Sequence, residues 1–220
     1  MNLIWIAPPA AGKGTYCSMF KDKYGFNHIS AGDVLREEVK NESEIGKEIA
    51  SIMAKGEMID DHLMKRLIEK KLTTLDLSTT FMLDGYPRKL NQAEDYEEIL
   101  GKLGLNVDKV IFINISKETG LKRVLGRRTC PNCKRGYNIL TGLNPKIDGI
   151  CDNCGSALES RSDDTEESYS TRYDVYTNET KAVIEKFRSE GKLIEINGEG
   201  APEEIFKELE KLLGVNNGQY

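Results

Sequence analysis

Four short apolar runs, each set off from the next by helical patterns, constrain this chain more than any other feature. The runs are Leu3-Ile4-Trp5-Ile6, Thr80-Phe81-Met82-Leu83, Val110 to Ile115 and Leu193 to Ile196. Each is nearly continuous in apolar residues, the pattern of a strand buried on both faces. Between them, apolar residues fall at helical spacing over Lys13 to Tyr24, Asp61 to Leu72, Gln92 to Leu103, Ser116 to Gly126 and about Glu166 to Ser189. Gly25 stops the first helix, and a last helix opens with Pro202 and stops at Gly214. A further short strand ends near His28. Strands alternating with helices predict an α/β fold: a parallel five-stranded sheet covered by helices on both faces.

Two stretches break the rhythm. Ser30 to Asp60 is charged and helical with no strand of its own, and Thr129 to Asp164 is rich in Gly, Asn, Asp and Cys, like an inserted small module. The 220 residues suffice for one sizeable core plus such insertions. A net charge of -5 argues against a general nucleic-acid binder, though it leaves room for a local basic site. No run approaches the roughly 20 apolar residues of a membrane-spanning helix, and Leu3 to Ile6 is too short for a signal peptide's apolar region. The expected compartment is the cytoplasm, where thiols stay reduced and clustered cysteines serve metals more often than disulfides.

Ala7-Pro8-Pro9-Ala10-Ala11-Gly12-Lys13-Gly14-Thr15 lies between the first strand and the first helix. There, backbone N–H groups and a helix N-terminus face an anion and a lysine reaches outer phosphates. The bland reading is a strand-to-helix turn with an exposed lysine. Cys130-Pro131-Asn132-Cys133 and Cys151-Asp152-Asn153-Cys154 are two Cys-x-x-Cys pairs, spaced so that four thiolates can close around one ion, zinc first and iron or cobalt as substitutes. Redox dithiols and disulfides are the competing readings. With no open coordination position, the metal would fold the module and take no part in catalysis. Cys17 stands apart on the first helix and reads as a small buried residue.

Three later segments carry a family resemblance. His28-Ile29-Ser30-Ala31-Gly32-Asp33-Val34-Leu35-Arg36 resembles the monophosphate-binding segment of adenylate kinases. Leu83-Asp84-Gly85-Tyr86-Pro87-Arg88, with Gln92 after it, resembles their second signature. Gly126-Arg127-Arg128 before the cysteines, and Arg161-Ser162-Asp163-Asp164 with Arg172 after them, resemble the boundaries of the long lid. The resemblance implies reversible, magnesium-dependent transfer of a phosphoryl group from ATP to AMP, giving two ADP, in a cytoplasmic monomer that binds neither nucleic acid nor membrane.

Site residues follow position by position. Ala10, Ala11, Gly12, Lys13, Gly14 and Thr15 would hold the ATP phosphates, with Arg123 along the adenine and Arg127, Gly136, Tyr137 and Gly200 also at ATP. Arg36, Arg88, Arg161 and Arg172 would surround the AMP phosphate and the transferring group. Ala31, Glu57, Met58, Ile59, Gly85, Tyr86 and Pro87 would line the AMP pocket, with Gln92 reading adenine through its amide. Lys13, Arg88, Arg123, Arg127, Arg161 and Arg172 would be the catalytic cations, and Asp84 would orient Mg2+ through water. Cys130, Cys133, Cys151 and Cys154 would hold Zn2+ in a lid that closes over ATP. The implied division is a core of residues 1–29, 61–126 and 165–220, a monophosphate segment of 30–60 and a lid of 127–164. Transfer between two phosphates is a matter of positioning and charge, and the acceptor oxygen is already ionised, so neither His28 nor His62 is assigned a catalytic part. Planar guanidinium groups suit bidentate contact with phosphate. Any single arginine could otherwise be a solvated surface residue, and Asp33, Asp163 and Asp164 read equally as helix caps or as arginine partners.

Three departures qualify the match. Ala7 and Ala10 replace glycines usual in the family's loop and add Cβ atoms near phosphate. Asp60 replaces the proline usual before Asp61, which would loosen that hinge. Ala31 replaces a common threonine and resembles UMP/CMP kinases, whereas Gln92 and the cysteine lid favour AMP. The remaining rivals are a UMP/CMP or relaxed-specificity kinase, a zinc-ribbon nucleic-acid binder and an inactive zinc scaffold.

Overall fold

The structure is a computed structural model that describes residues 1–41, 44–55, 57, 59–76 and 78–215. Strand β1 (Asn2–Ile6) occupies the middle of a five-stranded parallel sheet of order β2-β3-β1-β4-β7. Its partners are β3 (Phe81–Asp84) on one side and β4 (Lys109–Asn114) on the other; β2 (Asn27–Ser30) and β7 (Leu193–Asn197) form the edges. Ile4 pairs with both Leu83 and Val110, so the central apolar runs stack in register.

Side chains alternate across the sheet, and each face buries its own cluster. Ile4, Ile6, Leu83, Val110 and Phe112 pack with α2 (Ala31–Lys40), α4 (Asp61–Leu72), α5 (Leu90–Lys102) and α8 (Lys181–Ser189). Leu3, Trp5, Met82, Ile111 and Ile113 pack with α1 (Lys13–Tyr24) and α9 (Pro202–Leu213). Helices α3 (Glu44–Ala54), α6 (Lys117–Gly126) and α7 (Glu166–Val175) complete the set. Because the chain leaves β1 toward β3 and β2 on one side and β4 and β7 on the other, a crevice opens beyond its carboxyl end, the usual ligand position in such sheets.

The structure differs from the sequence reading at several places. The third strand runs from Phe81 to Asp84, one residue later than expected; the Thr80 hydroxyl just before it accepts from the Met1 amino group at 3.2 Å. The helix expected over 166–189 is interrupted by a π-turn, Tyr176–Thr180. Asp60, which replaces the proline usual at that hinge, caps α4: its carboxylate accepts from the Leu63 N–H at 3.1 Å. Ser30, placed at the start of the inserted segment, ends β2 and caps α2.

The second insertion contains a two-stranded antiparallel sheet, β5 (Arg127–Thr129) with β6 (Gly136–Asn138). It springs from the end of α6, where a side chain at Gly126 would collide with Asn138 and Leu140. Asn138 donates from Nδ2 to the Arg123 carbonyl at 2.8 Å, and the Ile139 N–H donates to the Gly126 carbonyl at 2.9 Å.

Candidate active site and metal centre

Residues 7–13 turn from β1 into α1 at the carboxyl edge of the sheet. Gly12 stands at φ 94°, where a side chain would be strained, and a Cβ there would press on the Tyr16 ring at 3.2 Å. Ala10 also takes a left-handed backbone, φ 64°, a conformation that costs an alanine about 1 kcal/mol. The substitution at Ala10 thus carries a backbone strain; Ala7 is not among the left-handed residues, and its carbonyl accepts from Lys13 Nζ at 3.4 Å.

Lys13 Nζ lies 3.8 Å from Asp84 Oδ1, at the end of β3, and the opposite oxygen of Asp84 lies 3.7 Å from His28 Nε2. Burial pushes the Lys13 ammonium down, Asp84 pulls it back up, and Arg88 and Arg127 lower it further. Burial alone would raise the Asp84 carboxyl, but Lys13, His28 and Arg88 hold it below the usual carboxylate range. Arg88, Arg161 and Arg172 are each lowered chiefly by burial and then by other cations: Arg172 acts on Arg88, Arg127 and Arg36 on Arg161, and Arg127 on Arg172. The guanidinium groups remain charged. Lys13, Arg36, Arg88, Arg127, Arg161 and Arg172, spread over the whole sequence, thus lie near enough for their charges to act on one another. Cations so placed are under repulsion until an anion enters.

Carboxylates balance some of them. Arg127 forms a two-pronged pair with Asp164, whose side chain is only 2% exposed. Arg172 donates to Asp163 Oδ2 at 3.0 Å and to its carbonyl at 2.8 Å. Arg36 pairs with Asp33 at 2.6 Å in the open. The three aspartates left undecided by sequence thus pair with arginines. The cap of α2 is Ser30, and the cap of α7 is Thr165.

Arg88 is fixed along its whole length. Its N–H donates to Gln92 Oε1 at 2.7 Å, its carbonyl accepts from Thr180 Oγ1 at 3.1 Å, and its Nε donates to the Gly85 carbonyl at 2.9 Å. Thr180 belongs to the π-turn, a feature that helical periodicity does not announce, and π-turns recur at functional sites. Gly85, Tyr86 and Pro87 form the cis Tyr86–Pro87 turn that precedes Arg88. Gln92 is buried, and its Nε2 donates to Asp61 Oδ1 at 2.6 Å. Ala31 is buried with its methyl group facing Gly85, and Ile59 is buried nearby in the same cluster. Glu57 is exposed, and Met58 lies outside the described residues.

Arg123 spans from α6 to the crevice, donating to the Gly198 carbonyl at 2.9 Å and reaching the Ala11 carbonyl at 3.5 Å. Gly198 went unnoticed in the sequence, yet a Cβ there would collide with Ile113 at 2.5 Å. Gly200 is exposed in the turn that follows. Tyr137, expected at ATP, has its ring among the thiols: its hydroxyl donates to Cys151 Sγ at 3.5 Å and accepts from the Asp152 N–H at 2.8 Å.

The four thiols of Cys130, Cys133, Cys151 and Cys154 lie within 4.8 Å of one another. Cys130 to Cys154 is 3.4 Å and Cys133 to Cys151 is 3.5 Å between sulfurs, far beyond a disulfide bond. Tetrahedral zinc, with Zn–S near 2.3 Å, sets its sulfurs about 3.8 Å apart, so the cluster fits the ion. The two pairs share one backbone design. Cys130 N–H donates to the Arg135 carbonyl and Cys151 N–H to the Ser156 carbonyl, each at 2.9 Å. Lys134 and Gly155, just after the second cysteine of each pair, stand at φ 63° and φ 71°. The structure therefore holds a ready set of four soft donors in one small module.

A family model described as adenylate kinase matches residues 5–192. The adenylate kinase of Fervidobacterium nodosum is 41% identical over 214 residues, covering 97% of this chain and 98% of that protein. The adenylate kinase of Kosmotoga olearia is 43% identical over 216 residues, covering 96% and 100%. That of Methanothrix thermoacetophila is 39% identical over 213 residues, covering 97% and 98%.

Proposed function

Because this chain belongs to the adenylate kinase family, we propose that it transfers a phosphoryl group reversibly from ATP to AMP, producing two ADP. The observation that carries the reading is the convergence of Lys13, Arg88, Arg127, Arg161 and Arg172 on the crevice beside the phosphate loop. The site crowds cations that its own carboxylates balance only in part, and the phosphates of two nucleotides suit the remaining positive charge.

The loop of Ala10 to Thr15 and Lys13 cradle the ATP phosphates, with Arg123 and Arg127 on the ATP side and the main chain at Gly136, Tyr137 and Gly200 along the nucleotide. Arg36, Arg88, Arg161 and Arg172 hold the AMP phosphate and the group in transit, while Ala31, Ile59, Gly85 and Gln92 line its base and ribose. Charge in such a transfer spreads over the migrating group's oxygens, so fixed guanidinium groups stabilise it with no proton shuttle. Asp84, buried and kept ionised, fits the water-mediated holding of Mg2+, which screens the phosphate charge when bound. Residues 30–60 and 127–164 act as the moving parts over a core of 1–29, 61–126 and 165–220. The thiol cluster holds Zn2+ and gives the lid its fold.

AMP is the preferred acceptor, since Gln92 presents an ordered amide to a base. The protein acts as a cytoplasmic monomer without nucleic-acid or membrane partners; no described helix is long and apolar enough to cross a membrane, and net charge is -5. Coupled measurement of ADP formation with AMP, CMP and UMP at fixed ATP and Mg2+ tests the reading. Highest specificity for AMP is expected. Preference for a pyrimidine, the reading that Ala31 favours, would overturn the acceptor assignment, and absence of ADP would overturn the reaction.

A further inference from the structure

An amide is a polar arrow, and its two ends differ only in whether they accept or donate. Gln92 sits between two groups that leave no freedom about its direction. Its Oε1 faces the Arg88 N–H at 2.7 Å, which can only donate. Its Nε2 faces Asp61 Oδ1 at 2.6 Å. Burial works to raise the Asp61 carboxyl, but hydrogen bonds from Asn91, Gln92 and Lys89 hold it below its ordinary value, so it remains an acceptor only. Lys89 Nζ at 3.0 Å and Asn91 Nδ2 at 2.9 Å occupy the other oxygen, Oδ2. Reversing the amide would set carbonyl against carboxylate and N–H against N–H.

With one lone pair and one N–H engaged inside the protein, Gln92 retains one of each for a ligand. Adenine's base-pairing edge offers a donor at N6 and an acceptor at N1. A 6-oxopurine offers the reverse, an acceptor at O6 and a donor at N1. An amide locked in one direction can be placed to suit one of these edges and oppose the other. We propose that Asp61 sets the direction of the Gln92 amide and thereby selects adenine over 6-oxopurines as the base of the acceptor nucleotide.

This inference rests on the AMP-binding reading above. Asp61 is a positioning residue acting through Gln92. Its substitution leaves the start of α4 capped, because Asp60 performs that task.

The test compares AMP with inosine 5′-monophosphate, both by equilibrium binding and by kcat/KM. In Asp61→Asn, Lys89 and Asn91 draw the new carbonyl oxygen toward themselves, which turns an NH2 group toward Gln92 and favours the reversed amide. The AMP-to-inosinate ratio is expected to fall about tenfold, the equivalent of one misdirected hydrogen bond. Asp61→Ala removes one of the two groups that fix the amide, leaving the Arg88 N–H, and should lower the ratio less. Asp61→Glu, still an acceptor only, should retain most of it. If Asp61→Asn fails to fold, Asp61→Ala decides. A ratio unchanged within about twofold in the folded variants, with both nucleotides weakened equally, would overturn the proposal and leave Asp61 a structural residue. Should the parent protein turn over no AMP, the reaction reading falls, while the binding ratio still judges Asp61.

Discussion

The sheet core and the cysteine lid reach order by opposite means. The core buries two apolar clusters, one on each face of the sheet, around Ile4, Leu83 and Val110 and around Trp5, Phe20 and Ile111. The lid buries Cys130, Tyr137 and Cys151 and little else, and it leaves Leu140, Leu143 and Ile147 exposed at 47%, 49% and 67%. Apolar area stabilises the first, and bonds to one ion must stabilise the second. Charge is handled alike in both: Lys13 in the core faces Asp84, and Arg127 at the start of the lid pairs with Asp164. Regions built so differently should fail differently.

The largest separation is expected from Lys13→Ala or Arg88→Ala. Turnover should fall at least about a hundred- to a thousandfold, since each removes a fixed charge from the transition state, with the thermal midpoint nearly unchanged. Steady-state kinetics beside calorimetry checks this, and a large loss of folding would make these residues structural. Cys130→Ala should show the inverse pattern. Metal content should drop from about one ion per chain toward none, the lid should lose order, and activity should vanish on mild heating while the core still melts cooperatively. Metal analysis with thermal scans reads both, and unchanged stoichiometry would exclude the four-thiolate site.

A smaller effect concerns acid. The Asp84 carboxyl is held below its ordinary value in the fold, so between the folded and unfolded values the unfolded chain binds the extra proton. Its contribution is complete above the ordinary carboxylate range near 4 and is lost as pH falls through the depressed value. Denaturation of Asp84→Asn at pH 3 to 7 should therefore show a flatter fall than the parent. The smallest effects belong to the two left-handed residues that are not glycine. Lys134→Gly in the lid and Ala10→Gly in the core loop each relieve strain of about 1 kcal/mol, less the entropy that glycine forfeits. Lys134→Gly should register in retention of metal against a chelator, and Ala10→Gly in affinity for ATP.

How much of this was legible in the sequence depended on the range of the interaction. Continuous apolar runs announced the strands, and the two Cys-x-x-Cys pairs announced the thiol cluster, because both are local patterns. The aspartate cap at Asp60 was equally local, but a family expectation of proline there drew attention to flexibility instead of to the carboxylate. The π-turn at Tyr176–Thr180 is invisible to periodicity, since one widened turn shifts the phase of the pattern without breaking it. The pairing of Arg127 with Asp164 and of Gln92 with Asp61 joins residues more than a helix apart, and nothing in either neighbourhood selects the partner. The place of the Tyr137 ring was hidden for a related reason: a residue in a lid hairpin can face the cleft or the thiols, and alternation alone does not say which face is which.

The restraint of Arg88 has a thermodynamic side. Its guanidinium springs from a backbone unit clamped on the N–H side by α5 and on the carbonyl side by Thr180, and its Nε is tied back to Gly85. A free arginine side chain carries about 2 kcal/mol of rotamer entropy, and much of that freedom has been surrendered during folding. A phosphate arriving at this residue meets a donor already aimed, so little of the energy of contact is consumed in ordering it. Three hydrogen bonds to one residue, from Gln92, Thr180 and Gly85, thus contribute to affinity by aiming the arginine in advance.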